Sequence, residues 1–182
     1  RLYVSYWHAG WYILDISDMS KPTLVSGMDW SPPFPWPSHT CLPIPFECGG
    51  RKIMLVADED VAKKYQSGPA FLWVVDITDE QHPIPFSNFQ IEGLDGSPTP
   101  DMTGCHQPVE TVRSTEIPVA WFANGLRVID IADPFNVKEV ARYIPDVPEG
   151  SDRVSSNDVF QDDRGLIYLI DRMRGLSIVE RT

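Results

Sequence analysis

His39, His106 and Asn157 each stand at the head of a run rich in β-branched and apolar residues: His39-Thr-Cys41, His106-Gln-Pro-Val-Glu110 and Asn157-Asp158. Neutral imidazole is the commonest protein ligand for transition metals, and a carboxylate often completes such a set. Along an extended chain His39 and Cys41 share one side, as do His106 and Glu110. Were the three runs to occupy equivalent places in a repeated structure, their first residues would form a ring able to hold a metal ion or anchor a water. His8 and the Asp58-Glu59-Asp60 cluster approach such a ring from neighbouring turns. The candidate metal ligands are therefore His39, His106 and Glu59, and the implied cofactor is one transition-metal ion. His8, Asn157, Glu110 and Arg172 are further candidates for ligand contact. The competing structural readings are plain. A histidine that starts a strand also serves as a hydrogen-bonding clip, a role that suits Asn157 better than metal ligation. An acidic run also serves as a solvated turn, and Cys41 and Cys105 as packed thiols. Arg172 and Arg174 neutralise nearby acids or seat an anionic ligand.

The elements that must position these residues come from an internal repeat. Gly10-Trp-Tyr-Ile-Leu-Asp15-Ile-Ser-Asp18, Phe71-Leu-Trp-Val-Val-Asp76-Ile-Thr-Asp79 and Gly125-Leu-Arg-Val-Ile-Asp130-Ile-Ala-Asp133 align, and Gly175-Leu-Ser-Ile-Val-Glu180 follows them. The spacing slightly exceeds the roughly 40 to 50 residues of common propeller repeats. An apolar run precedes each aligned segment, and further runs follow the first three; all are bounded by Gly, Pro, Asn and Asp, the punctuation of short strands. No long stretch has helical periodicity, although Asp60–Gln66 has the length for a turn or two of helix. Four strands per unit make an all-β β-propeller with four-stranded antiparallel blades. About three and a half blades are expected: 1–27 without a first strand, 39–91, 106–144, and 157–182 without a last strand, all in one propeller region. The remaining blades are expected from missing sequence or another chain.

Tyr12-Ile-Leu-Asp-Ile-Ser-Asp18, Trp73-Val-Val-Asp-Ile-Thr-Asp79 and Arg127-Val-Ile-Asp-Ile-Ala-Asp-Pro134 resemble the LVIVD-repeat family of bacterial β-propellers. The resemblance spans nearly the whole chain and departs at the fourth unit, where Glu180 replaces the aspartate. It implies the fold and no uniform activity. Ser38-His39-Thr-Cys41-Leu-Pro43 is faintly similar to the His-Cys-Leu stretch of selenium-binding/methanethiol oxidase propellers, with Thr40 interposed. That likeness implies where a channel metal sits and names no substrate.

Composition narrows the function classes. Twenty-six acidic against 15 basic residues leave a formal charge of −11, a field that repels phosphate backbones, so no nucleic-acid partner is expected. No apolar run approaches the roughly 20 residues of a membrane span. Three cysteines without metal-finger spacing leave the compartment open, with the cytoplasm favoured over a secreted or periplasmic location. In blade geometry the long links after the fourth strands and the turns between second and third strands share one face, where loops on a rigid scaffold carry binding groups. Two functions compete there. One is a ligand-binding, metal-dependent site at the mouth of the central channel, taking a small molecule. The other is a non-catalytic scaffold for a protein partner, with Trp30, Phe34 and Trp36 of the Pro-stiffened loop as its interaction residues.

Overall fold

Short runs of valine, isoleucine, leucine and aromatics, cut by Asp, Gly and Pro every few residues, fold here into strands. The computed structural model describes residues 1–59, 70–91 and 104–181; Asp60, and with it the Asp60–Gln66 stretch considered for a turn or two of helix, and residues 92–103 lie outside the described residues. Among the described residues there are fourteen strands and no helix. The first antiparallel sheet is β1 (Leu2–Ser5), β2 (Trp11–Asp15) and β3 (Thr23–Met28). The second is β4 (Ser38–Cys48), β5 (Arg51–Asp58), β6 (Leu72–Asp76) and β7 (Ile84–Phe89). The third is β8 (Gln107–Pro108), β9 (Glu116–Ala120), β10 (Leu126–Asp130) and β11 (Lys138–Tyr143). The fourth is β12 (Ser156–Gln161), β13 (Ile167–Asp171) and β14 (Gly175–Val179). Within every sheet the strands neighbour one another in chain order, which is the meander of a propeller blade. Two four-stranded sheets flanked by two three-stranded ones match the all-β propeller of about three and a half blades expected above.

The repeated aspartates are turn formers. Asp15, Asp76 and Asp130 each accept a hydrogen bond from the backbone N–H two residues on, at Ser17, Thr78 and Ala132. Asp18, Asp79 and Asp133 do the same for Ser20, Gln81 and Phe135. Two successive Asx turns reverse the chain between the third and fourth strands at little entropic cost.

The sheets pack face to face through alternate residues. On β5, Ile53, Leu55 and Ala57 enter one apolar core shared with the third and fourth sheets, while Met54 and Val56 enter another shared with the first. β6 divides likewise, Leu72 and Val74 on one side and Trp73 and Val75 on the other. A strand apolar on both faces must be interior, so the second sheet is sandwiched. The end sheets are covered on one face only: Trp11 and Ile13 are buried, but Leu2, Tyr6 and Leu24 are exposed, as are Phe160, Ile170, Leu176 and Ile178 of the last sheet. Innermost strands lie side by side, β4 against β1, β8 against β4 and β12. No helix among the described residues is long and apolar enough to cross a membrane.

Candidate metal centre

One turn position recurs in all four sheets. The ladder pairs Ser5 with Trp11, Ala57 with Leu72, Ala120 with Leu126 and Ile170 with Leu176. The next residue but one is therefore equivalent in each sheet: Trp7, Glu59, Phe122 and Arg172. Backbone bonds carry the same pattern. Trp7 and Phe122 bridge to Ser38 and Ser156, which open the next sheets, and both have positive φ, 55° and 36°. Glu59 N–H donates to Pro37 O and Arg172 N–H to Ser155 O, each at 2.9 Å. The four side chains thus sit at one rim of the inner strands, beside His39 and His106.

There a stack of rings runs across the sheets. Trp7 meets His39 edge-on at 6.2 Å, His39 stacks on His106 at 4.3 Å, and Phe122 lies 4.6 Å beyond. The Arg172 guanidinium caps the Phe122 ring at 5.7 Å. Into the edge of this stack reaches Glu59, with Oε2 3.7 Å from His39 Nε2 and Oε1 3.5 Å from His106 Nε2. Glu59 and His106 are buried and His39 is half-buried. One donor atom from each of the three residues lies within 4.8 Å of the others.

Hydrogen bonds on the far side of each imidazole fix which nitrogen holds its proton. His106 Nδ1 lies 2.5 Å from the backbone oxygen of Asn157; a carbonyl only accepts, so Nδ1 donates and Nε2 keeps a bare lone pair. For His39 the constraint passes through two side chains. Gln107 Nε2 donates to Pro108 O, which leaves Gln107 Oε1 to accept from the Thr40 hydroxyl at 2.8 Å. Having given its only hydrogen, Thr40 Oγ1 accepts from His39 Nδ1 at 2.8 Å. In the neutral form of His39 this leaves Nε2 bare as well. Burial drives the His106 imidazole down to about 4, so it is neutral at pH 7. Burial also pushes the Glu59 carboxyl up, against the charges of His39 and Arg172, which draw it down. With both imidazoles neutral, two lone pairs face the Glu59 carboxyl. Ligands of a tetrahedral ion with bonds of ~2.0–2.1 Å stand about 3.3 Å apart, close to the two spacings found.

The structure places the other sequence candidates as follows. Asn157 supplies its backbone oxygen to His106, while its buried side-chain oxygen has no partner among the described residues. His8 is exposed and meets the Trp7 ring edge-on at 6.0 Å. Glu110 is exposed, beyond the end of β8. Cys41 faces Ser5 Oγ at 3.1 Å, in the interface between the first two sheets. Trp30 and Trp36 are buried, and Trp30 and Phe34 pack on Trp73 at 4.9 and 4.8 Å, so this loop lends its aromatics to the sheet interface. Thr40, Gln107 and Phe122 escaped sequence reasoning. The first two directly follow the histidines, and the third aligns with Trp7 once the ends of the second strands are matched.

The meander of four sheets and the doubled Asx turns define a β-propeller repeat. The family model of the LVIVD repeat matches residues 2–29 and 119–144, so those two units carry LVIVD repeats. No curated protein matches it, and the likeness of Ser38–Pro43 to the selenium-binding propellers has no counterpart among the matches.

Proposed function

We propose that this propeller binds one divalent transition-metal ion at the mouth of its central channel, through His39 Nε2, His106 Nε2 and the Glu59 carboxylate. The observation that carries the reading is the convergence of three hydrogen-bond acceptors, with both imidazole protons directed away from the centre. Such a cluster offers a cation two imidazole nitrogens and a carboxylate, a donor set that suits a divalent transition metal. Outer partners of this kind, a backbone carbonyl and a hydroxyl on the two Nδ1 atoms, are what orient metal-ligating imidazoles. Three protein ligands leave coordination positions open, and a metal held in this way supplies a Lewis acid that polarises a bound small molecule or activates water. Around that position the chain contributes an aromatic wall, Trp7 and Phe122, and one guanidinium, Arg172.

The test is calorimetric titration of the chelator-treated chain with Co²⁺ and Zn²⁺. One equivalent is expected to bind, and His39→Ala and Glu59→Gln are each expected to weaken binding by at least tenfold while the far-ultraviolet dichroism of the sheets is retained. Absence of binding at micromolar metal overturns the proposal, and so does undiminished affinity in both variants.

A further inference from the structure

Arg172 occupies the position equivalent to Glu59, two sheets further round the arc, and so points to the same rim. Its guanidinium is held over the Phe122 ring, which itself lies on His106. Among the described residues it has no carboxylate within ion-pair distance, unlike Arg1, Arg51, Arg127 and Arg164. Its charge acts on both Glu59 and His106. Arg172 is itself exposed, and so open to a ligand arriving from solvent, and a fixed cation beside a cation site is a repulsive arrangement. It becomes favourable when an anion lies between the two. The guanidinium fork matches an oxyanion bidentately, and an oxygen of the same anion suits an open position on a hard or borderline metal ion.

Building on the metal reading above, we propose that the site takes its ion together with a small oxyanion of the carboxylate or phosphate class, seated between the metal and Arg172. Arg172 is thus a specificity-determining residue for an anionic ligand, not a ligand of the metal. The charge balance supports this role: two neutral imidazoles and one carboxylate leave a divalent ion with one uncompensated positive charge, Arg172 adds a second, and Asp158, whose charge also acts on His106, offsets one of the two.

The experiment uses the Co²⁺-loaded chain, whose visible absorption reports the coordination sphere. Acetate and inorganic phosphate are titrated separately into wild-type protein and into Arg172→Met, which keeps the stem over Phe122 and removes the charge. The expected result is a saturable spectral change in the wild type with at least one of the two anions, and an affinity at least tenfold weaker in Arg172→Met at similar Co²⁺ affinity. Which anion binds more tightly decides between carboxylate and phosphate. Arg172→Lys, which keeps the charge without the fork, is expected to recover part of the loss. Co²⁺ binding with a spectrum indifferent to both anions, or with equal anion affinity in wild type and Arg172→Met, overturns this inference and leaves the metal site standing. Failure of Co²⁺ to bind overturns both.

Discussion

Two buried groups at the rim have opposite proton preferences. The Asp58 carboxyl, its Oδ2 accepting from the Trp73 indole at 2.7 Å, is pushed by burial up to about 7, while His106 is driven down to about 4. Unfolded, these groups titrate near ~3.9 and ~6.5. For Asp58 the folded value is the higher, so its contribution to stability is full at low pH and is lost as pH rises toward 7. For His106 the folded value is the lower, so stability is full above the unfolded value and is lost as pH falls toward 4. The two trends offset one another across the mildly acidic range. In the metal-free chain, Asp58→Asn is expected to remove the first trend, so that urea midpoints of the variant gain on the wild type from pH 5 to pH 8. A constant gap across that range would contradict the assignment. The relay from Gln107 through Thr40 is testable in the same form of the protein. Thr40→Val takes away the acceptor that holds the His39 proton on Nδ1, and ¹⁵N chemical shifts of the His39 ring are expected to move toward the other tautomer, with Thr40→Ser restoring them. Metal affinity should fall by roughly 10- to 100-fold in Thr40→Val, the usual cost of losing an outer partner.

The turn that links second and third strands is the element from which the rim is built. In the first and third sheets it is the same structure twice: Tyr6 and Trp121 N–H donate to Gly10 and Gly125 O, both at 2.8 Å, and Trp7 and Phe122 hold positive φ. Gly125 has φ +72°, and a Cβ there would lie 2.3 Å from the Tyr143 carbonyl oxygen. Gly125→Ala therefore forces the third sheet's turn open, and a loss of about 2–4 kcal/mol is expected in denaturant unfolding, whereas Gly→Ala at a strain-free loop position stabilises by about 0.4–1 kcal/mol. Gly165→Ala, with the same left-handed φ but open space around the added Cβ, should cost clearly less. Much of this level was legible in the sequence. The Asp-Ile-x-Asp corners announce their Asx turns, because a short carboxylate two residues from a backbone N–H has one obvious use. The alternation that buries β5 on both faces is written in Ile53–Ala57. Placing His39 and His106 at neighbouring strand starts needed only the repeat. Glu59 is a candidate ligand beside His39 and His106 from the sequence alone, but the reason to prefer it over its acidic neighbours could not be read there. Within Asp58-Glu59-Asp60 three adjacent acids look alike, and only the ladder register shows Asp58 turned inward to Trp73 while Glu59 points to the histidines. The tautomers were hidden too, since they depend on bonds between residues of different sheets.

Across the molecule, protection should decline from the middle outward. β5 and β6 are buried on both faces and β1–β3 and β12–β14 on one, so amides of Leu55, Val56 and Val74 are expected to exchange with deuterium most slowly, and those of β3 and β14 fastest. Uniform protection across the four sheets would mean that they open as a single unit. Two of the three thiols should be inert: burial raises Cys41 to about 11 and Cys105 well above the ordinary thiol value, so iodoacetamide at pH 8 is expected to leave both unmodified until the chain is unfolded. A consequence follows from the bridges that join one sheet to the next. The carbonyl of Trp7 accepts the Ser38 N–H and that of Phe122 accepts the Ser156 N–H, so the turn of an earlier sheet fastens the inner edge of the later one in each case. The fastening has a polarity: each clasp lies upstream of what it holds. Damage to the Phe122 turn is felt downstream first, at β12 and at the Asn157 carbonyl that holds the His106 proton, so a lesion in one blade's turn can disarm the imidazole of the proposed metal site by way of its neighbour's edge.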